Sequence, residues 1–254
     1  MIRIEGLHKR FAHGRGRKAR VVEAVRGVTL QAADGRITAV LGPNGAGKTT
    51  TLRMVAALLQ PDSGRIEVDG IDVVARPREA LARLGVLSDA RGLYPRLTAR
   101  ENIVYHAQLH GMALEAANAR ARALAERLEF ADLLDRRTEG FSPGERMKTA
   151  LARALVHDPP NLILDEPTNG LDVQSIRGLR QALRQLRDEH GKCIVFCTHI
   201  MQEVQRLCDH VVVMAAGRAV AEGSVDELCR RSGHDDFEQA FVSLAFGGAA
   251  EGAR

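Results

Sequence analysis

The sequence predicts an α/β fold with a parallel sheet core, an antiparallel β edge and a helical insertion. Short apolar segments alternate with helical patterns in both halves of the chain, and residues from about 88 to 158 contain no strand pattern. Such alternation is typical of parallel strands joined by crossover helices. A length of 254 residues suits one globular domain of generous size, or a core that carries an inserted subdomain.

The first 70 residues predict the antiparallel edge and the first core strand. Alternating apolar residues indicate the outer strands, a short apolar run indicates a buried strand, and Asp69-Gly70 is a hairpin turn sequence. A helical pattern follows the buried strand. The predicted strands are 2–5, 21–30, 37–41 and 65–68, and the predicted helix is 49–59.

Residues 76–158 predict mostly helices, after which strands and helices alternate again. The predicted strands are 162–164, 193–197 and 211–214, and the predicted helices are 173–190 and 201–207. The tail from Gly247 is small and polar enough to be disordered. We expect one domain over residues 1–230, with a helical subdomain at about 88–158, and a C-terminal helix with a flexible tail over 231–254.

The charge distribution argues against a nucleic-acid partner. Of the net charge of +4, six positive charges lie in residues 9–20, so the rest of the chain carries −2. A duplex-binding protein usually spreads its basic residues over a whole face. Aromatic residues make up only 4% of the chain and Trp is absent, which disfavours a stacking platform for single strands. We interpret the basic segment as a solvated loop between two strands.

Cysteines and hydropathy give expectations about the compartment. Cys193 and Cys197 lie in the apolar run KCIVFC, without a second pair at metal-ligand spacing, and Cys208 and Cys229 follow singly. We expect reduced core thiols in a cytosolic protein rather than a zinc site. The sequence shows neither a signal-peptide pattern nor an apolar run near the about 20 residues of a membrane helix. A role at a membrane would therefore run through a partner.

Residues 42–50, GPNGAGKTT, match the pattern G-x-x-x-x-G-K-[ST] between a predicted strand and a predicted helix. Glycines let successive backbone N–H groups curl around a phosphate chain at the positive end of a helix dipole. Lys48 adds a cation for the β and γ phosphates, and the Thr49 hydroxyl is a candidate Mg²⁺ ligand. The candidate nucleotide-binding residues are Gly42, Pro43, Asn44, Gly45, Ala46, Gly47, Lys48, Thr49 and Thr50.

A phosphate-binding loop predicts a second strand that ends in an acid near the metal. Residues 161–166, NLILDE, supply it. Asp165 is the candidate for the Mg²⁺ shell. Glu166, one residue later, is placed to polarise a water for attack on the γ phosphate, a role worth about 10²–10⁴ in rate.

The stretch FSPGERMK at residues 141–148 allows two interpretations. Ser142 can cap a helix, with Pro143 at the first helical position and Glu145 completing a capping box. A serine hydroxyl and the Gly144 amide at a helix N-terminus can equally bind an anion. The local stretch does not decide between them.

Four motifs together resemble the ATP-binding cassette of ABC transporters. GPNGAGKTTTLRM, FSPGERMKTALARAL, LILDEPTNGLD and FCTH occur in the order and spacing of that family, and the resemblance covers residues 1 to about 230. The run LYPRLTARENI with FSPGERMK is most similar to the ATPase subunits of sodium-efflux (Nat-type) exporters. The resemblance implies a P-loop NTPase fold with a RecA-like core, ATP and Mg²⁺, and hydrolysis that powers transport.

The resemblance also implies partners. Two copies of such a cassette sandwich two ATP molecules in a homodimer, and a separate integral-membrane permease holds the dimer at the cytoplasmic face of the cell membrane. Within it, the Ser142 hydroxyl and the Gly144 amide would bind the γ phosphate of ATP held by the other copy, since Pro143 has no N–H. The helix start is then both a cap and half of a phosphate site.

Other residues take their roles from the resemblance one at a time. Phe11 falls where the family places an aromatic that stacks on adenine, with a core phenylalanine as the alternative. His199 matches the histidine that contacts the γ phosphate. Asp172 lies in the loop that crosses the dimer interface, and Tyr94 and Arg96 lie where a groove receives the permease.

The chain departs from the family at one loop. The family's glutamine-bearing segment aligns with residues 87–91, LSDAR, which contain no Gln. Asp89 is the nearest substitute and a tentative metal ligand, with a solvated loop acid as the alternative.

A soluble ABC ATPase that acts on nucleic acid or ribosomes is the competing function. Such proteins typically have two cassettes or a long coiled-coil insertion. This sequence has one cassette pattern and no heptad run, which favours the transporter subunit.

Overall fold

The computed structural model describes residues 1–13, 20–88 and 92–247, arranged as two β-sheets and nine α-helices. Asp89 and the tail after Gly247 lie outside these ranges. The strands are β1 (Ile2–His13), β2 (Arg20–Ala32), β3 (Ile37–Leu41), β4 (Ser63–Val68), β5 (Ile71–Asp72), β6 (Leu84–Leu87), β7 (Asn161–Asp165), β8 (Cys193–Thr198), β9 (His210–Ala215) and β10 (Arg218–Gly223). The helices are α1 (Lys48–Val55), α2 (Pro77–Leu81), α3 (Ala99–Leu109), α4 (Leu114–Arg127), α5 (Pro143–Leu155), α6 (Val173–Asp188), α7 (Met201–Leu207), α8 (Val225–Ser232) and α9 (Phe237–Phe246).

The central sheet has six strands in the order β10-β9-β3-β8-β7-β6. All neighbours are parallel except β10, which pairs with β9 antiparallel, so the predicted parallel core is confirmed. Every residue of β3, β7 and β8 is buried, because both faces of the sheet are covered. Within β7, Leu162 and Leu164 pack towards the helical side and Ile163 towards the antiparallel sheet.

The antiparallel edge is a four-stranded sheet in the order β2-β1-β4-β5. The predicted hairpin between β4 and β5 is confirmed, since Val68 pairs with Ile71 across Asp69-Gly70. Both turn residues have positive φ, 50° and 75°, as a type I′ turn requires. This sheet packs with α1 against one face of the core.

The predicted helical insertion is confirmed by α3, α4 and α5, which share one apolar cluster with β6 and β7. In residues 92–158, all of which the structure describes, β structure is limited to a bridge between Thr98 and Arg137. Asn102 is fully buried and donates to the carbonyls of Tyr94 and Thr98. That side chain ties the segment before α3 to the helix.

The structure corrects the sequence predictions at short edge elements. β6 was missed inside the stretch 76–158 because it is only LGVL, and Gly85 gives no β signal. A Cβ on Gly85 would lie 2.5 Å from the Ala154 carbonyl oxygen, so glycine lets α5 approach. β10 was also missed. At the C-terminus the structure has two helices, α8 and α9, packed on β9 and β10, where the sequence predicted one. Helix α8 spans residue 230, the predicted end of the ATPase domain, and that domain boundary stays a prediction.

The four cysteines are free thiols, and two of them belong to the core. Cys193 and Cys197 are buried in β8, while Cys208 and Cys229 are only half-buried. Burial raises the pKa of Cys193 to about 11. In the part of the chain that the structure describes, no helix is both long and apolar enough to cross a bilayer.

Candidate functional site

The loop between β3 and α1 is built on close backbone approaches. Gly45 and Gly47 have φ of 81° and 98°, and Gly47 is the N-terminal flanking residue of α1. A Cβ on Gly47 would lie 2.5 Å from the Ala24 carbonyl oxygen, and one on Gly42 would overlap the Met214 carbonyl oxygen. Glycine is therefore required by the loop's conformation and by its neighbours.

Lys48 is a buried cation held by this loop. Its side chain is 6% exposed, and Nζ donates to the Gly42 carbonyl over 2.7 Å. Nζ also lies 3.5 Å from Glu166 Oε1, at the end of β7. The cation is thus fixed between the loop and the acid before any anion is bound.

Thr49 and Asp165 join the loop to β7. Thr49 Oγ1 donates to Asp165 Oδ1 over 3.2 Å, although the two residues are 116 positions apart in sequence. Asp165 is 6% exposed. Mg²⁺ prefers oxygen ligands and usually binds proteins through one or two carboxylates plus substrate phosphates. A neighbouring hydroxyl and carboxylate at the phosphate loop fit that requirement.

Glu166 has a left-handed backbone, with φ of 47°. Its amide donates to the Cys197 carbonyl over 3.0 Å, which holds this conformation. His199 Nδ1–H donates to Glu166 Oε2 over 2.9 Å. The carboxylate, 11% exposed, therefore lies between a buried cation and an imidazole. Strained backbone at a polar cluster is typical of functional sites.

These residues line one open cleft of about 740 Å³. The lining comes from β1 and β2 of the antiparallel sheet, from the phosphate loop, and from the segments that follow β7 and β8. Phe11 is partly exposed and lines the cleft opposite Val22, so it is not a core residue. The predicted residues that the cleft brings together are Phe11, Pro43, Asn44, Gly45, Ala46, Gly47, Lys48, Thr49, Thr50, Glu166 and His199.

The stretch before α5 forms the predicted capping box. Ser142 Oγ accepts from the Glu145 amide over 3.2 Å, and Glu145 Oε2 accepts from the Ser142 amide over 2.6 Å. Ser142 and Pro143 are exposed. Among the described residues that line the cleft, none comes from this stretch, so one chain does not bring Ser142 or Gly144 to the phosphate loop.

Asp172 lies beside this stretch instead of in the cleft. It caps α6, with Oδ1 accepting from the Ser175 amide over 2.9 Å and Oδ2 from the Ser175 hydroxyl over 2.7 Å. These hydrogen bonds hold the pKa of the exposed carboxyl below its usual range. Ser142, Gly144 and Asp172 therefore form a second group, which we call the helix-start patch.

Sequence reasoning missed several lining residues. Asn169 belongs to the same LDEPTN stretch as Glu166, and its backbone N–H donates to the Glu166 backbone carbonyl over 3.2 Å, so proximity in sequence was a usable signal. Glu23 and Arg26 enter the cleft from β2, and no local pattern marked them. Tyr94 and Arg96 are exposed on the helical subdomain, with the Tyr94 ring 5.7 Å from that of Tyr105.

Comparisons with known proteins find relatives over most of the chain. The family described as ABC transporter matches residues 25–169. The chain is 43% identical to the ABC transporter ATP-binding protein NatA of Bacillus subtilis (strain 168), over 96% of this chain and 97% of that protein. It is 42% identical to the Nod factor export ATP-binding protein I of Burkholderia lata, over 80% of this chain and 67% of that protein. The dimeric structure of a bacterial ABC transporter cassette superposes with a TM-score of 0.79 at 26% identity, over 88% of this chain and 98% of that chain.

Proposed function

The chain belongs to the ABC transporter family and binds and hydrolyses ATP, and we propose that it is the ATPase subunit of a membrane exporter. Transport would run through a separate permease at the cytoplasmic face of the cell membrane. The Nod factor relative supports export. Sodium as the cargo rests on the resemblance of the runs LYPRLTARENI and FSPGERMK to sodium-efflux (Nat-type) ATPase subunits.

The observation that carries the catalytic assignment is the contact chain Lys48–Glu166–His199 beside the Thr49–Asp165 pair. Lys48 and the loop amides would hold the β and γ phosphates. The Thr49 hydroxyl and the Asp165 carboxylate would hold Mg²⁺, which would supply positive charge for the phosphate oxygens. Glu166 would accept the proton of the attacking water, and the His199 hydrogen bond would hold that carboxylate in place.

The helix-start patch supports a two-chain site. Ser142 and Asp172 are exposed away from the cleft lining, and Val173 next to them is 81% exposed, an unusual position for a large apolar side chain. A second copy placed head to tail would bring Ser142 and Gly144 to the partner's ATP. The dimeric relative in the structural comparison supports this arrangement.

The permease would dock on the helical subdomain. Tyr94 and Tyr105 are 48% and 43% exposed and pack edge to face, next to exposed Arg96. Aromatic residues and arginine are the types that protein interfaces favour. Movement of this surface with the ATP dimer would transmit the hydrolysis cycle to the permease.

Mixing two inactive variants tests the two-chain site. Lys48→Ala disables the phosphate loop and Ser142→Ala disables the helix-start patch. In the proposed dimer a mixed pair has one site with both defects and one with neither. We expect ATPase activity in the mixture that neither parent shows.

The control is a mixture of Lys48→Ala with Glu166→Gln, two defects of the same cleft. In the head-to-tail dimer each mixed site then has one defect, so activity is not recovered. No recovery with Ser142→Ala, although mixed dimers form, would make Ser142 only a helix cap. Co-purification of a permease from detergent-solubilised membranes tests the transporter assignment. The flux of ²²Na⁺ in proteoliposomes tests sodium as the cargo.

A further inference from the structure

One face of α6 carries a row of three arginines, Arg180, Arg184 and Arg187. Side chains spaced four and three residues apart lie on the same side of an α-helix. All three contact α7 or Asp209, which lies just beyond it, and α7 begins two residues after His199. The row therefore holds the element that follows the histidine of the cleft.

Two of these contacts fix the C-terminal end of α7. Arg184 Nη2 donates to the Arg206 carbonyl over 2.6 Å, which gives a partner to one of the carbonyls that the last turn of a helix leaves free. Arg187 Nη1 donates to Asp209 Oδ1 over 2.8 Å, and Asp209 Oδ2 accepts from the Ile37 amide of β3, also over 2.8 Å. This end of α7 is thus tied to α6 and to the central sheet.

The contact at the N-terminal end of α7 is a buried ion pair. Arg180 Nε lies 3.5 Å from Glu203 Oε2, and the Glu203 side chain is only 9% exposed. Among the described residues, neither of these two atoms has a hydrogen-bond partner, so the contact depends on charge. Removing one partner of a buried ion pair is strongly destabilising, because the other charge is left uncompensated. The two side chains therefore hold each other in place.

The ion pair acts on the backbone next to His199. Ile200, the residue between His199 and α7, gives the helix no side-chain cap. The Glu203 amide donates to the Ile200 carbonyl over 3.2 Å, so Glu203 belongs to the first turn of α7. A shift of this turn would move the backbone that carries His199, whose ring donates to Glu166 over 2.9 Å.

We propose that Arg180 and Glu203 are positioning residues for hydrolysis, because their ion pair fixes the first turn of α7 and thereby the His199 ring against Glu166. This role rests on the function proposed for His199 above. The described lining of the cleft contains neither Arg180 nor Glu203. Their effect on the reaction therefore runs through the histidine.

Glu203→Gln tests the positioning. The amide keeps the size of the side chain and removes the charge that Arg180 faces. We expect kcat of ATP hydrolysis to fall at least about tenfold, because a displacement of about 1 Å at a reacting group can cost about 10²-fold. The Kd for ATP should keep its wild-type value, since the phosphate loop is unchanged. Arg180→Met retains an apolar stem, removes the other charge, and should give the same result.

A second background shows whether the effect runs through the histidine. Without the His199 ring there is nothing to position, so adding Glu203→Gln to His199→Ala should leave the single-turnover rate of His199→Ala unchanged. A general loss of packing would lower the rate by the same factor in both backgrounds. Such non-additivity is expected of residues that act as one unit.

Glu189→Gln is the matched control. Glu189 Oε2 lies 3.2 Å from Arg127 Nη2, in an ion pair that joins the end of α6 to α4 instead of α7. The same substitution therefore breaks an ion pair of the same helix without changing the contact with Glu203. We expect wild-type kcat and a wild-type Kd for ATP in this variant.

The outcomes separate the positioning role from the function of His199. Wild-type kcat in both Glu203→Gln and Arg180→Met overturns the positioning role and leaves the assignment of His199 standing. Equal losses of rate from Glu203→Gln in the wild-type and His199→Ala backgrounds overturn it as well. If His199→Ala itself hydrolyses ATP at the wild-type rate, both roles fail. A loss of kcat confined to chains that retain His199 supports the positioning role.

Discussion

Two histidines that follow core elements, His199 and His157, differ in the hydrogen-bond partners of their rings. His199 follows β8 in the cleft, is 43% exposed, and donates to Glu166. His157 follows α5, and its ring is stacked 3.7 Å from that of His110, at an angle of 5°. Its Nε2–H donates to the Leu84 carbonyl over 3.2 Å, while Nδ1 is buried without a partner.

The difference is the acceptor that each ring nitrogen meets. His199 has the Glu166 carboxylate next to it, so its ring N–H has a charged acceptor. His157 fits only as a neutral ring, because a second N–H would be buried without an acceptor and would face another imidazole. Burial lowers the pKa of His157 to about 4. The cleft thus gives the His199 ring a charged partner, whereas the joint between α3, α5 and β6 keeps the His157 ring neutral.

Two further histidines at this joint, His106 and His110, also have a lowered pKa. Burial lowers the pKa of His106 to about 4, with nearby Arg153 acting in the same direction. Burial lowers the pKa of His110 as well. Lys192 faces His157 and further disfavours its protonation, although Lys192 itself is bonded to Asp158 and the Pro159 carbonyl. Within the part of the chain that the structure describes, the joint places cations near the three imidazoles, and no carboxylate is hydrogen-bonded to the rings.

Removing the acid from the cleft gives the largest expected effect. In Glu166→Gln the amide keeps the shape of the side chain but cannot accept a proton from the attacking water. We expect kcat to fall about 10²–10⁴-fold with ATP binding retained. Single-turnover hydrolysis and a nucleotide titration measure the two quantities. A kcat within tenfold of wild type would contradict the assignment of Glu166.

Two buried lysines allow a matched test of the cation in each region. Lys48 and Lys192 are both 5% exposed. Lys48→Ala removes the side-chain cation of the phosphate loop, and we expect Kd for ATP to rise by at least about 30-fold, from 2–5 kcal/mol for a buried charge contact. Lys192→Ala should lower the melting temperature and leave the Kd of the folded protein unchanged. Equal nucleotide affinities in wild type and Lys48→Ala would defeat the prediction.

The joint predicts a loss of stability in acid. The folded-state pKa of His157 is about 4 and lies below the ordinary value of 6.5, so the unfolded chain takes up the proton first. The part of the folding stability that depends on the neutral His157 ring is therefore fully present above pH 6.5 and is lost as the pH falls towards 4. Allowing for solvent that still reaches the ring, we expect a loss of about 2 kcal/mol in unfolding free energy.

Urea denaturation of His157→Gln between pH 7 and pH 4 measures this loss. The glutamine amide can donate to the Leu84 carbonyl without titrating, so the variant should lose less stability than wild type over the same range. Ser232→Ala is the control, because it removes the hydrogen bond from Ser232 Oγ to the Cys229 carbonyl and no titratable group, and it should keep the wild-type pH slope. If His157→Gln leaves the pH dependence of the unfolding free energy unchanged, the lowered pKa of His157 does not cause the loss of stability in acid.

The smallest expected effect concerns the partly exposed ring of Phe11. The His157 ring has its stacking partner in His110, whereas Phe11 lines the cleft partly exposed. If adenine stacks on it, Phe11→Ala should raise Kd for ATP about tenfold, from about 1 kcal/mol of stacking. Phe11→Tyr keeps the ring and should bind as wild type. An equal loss in both variants would argue against stacking.

Local chemistry made much of the fold and the phosphate loop predictable. Glycine spacing at residues 42–47 and the turn Asp69-Gly70 act within a few residues, and buried strands such as β3 and β7 are continuous apolar runs. The capping box at Ser142 is likewise a relation over three residues. These features depend on backbone sterics and hydrogen bonds between sequence neighbours, so the pattern alone predicts them.

Only the tertiary structure decided which distant groups meet. β6 and β10 are short edge strands, stabilised by pairing rather than by their own pattern. The ion pair of Arg180 with Glu203 and the unpartnered nitrogen of His157 likewise depend on how separate elements pack. The sequence by itself determined the motifs and the alternation of strands and helices. Burial and the availability of a partner are long-range properties, which is why only the packed chain showed that His199 donates to Glu166 and that His157 is a neutral ring in the joint.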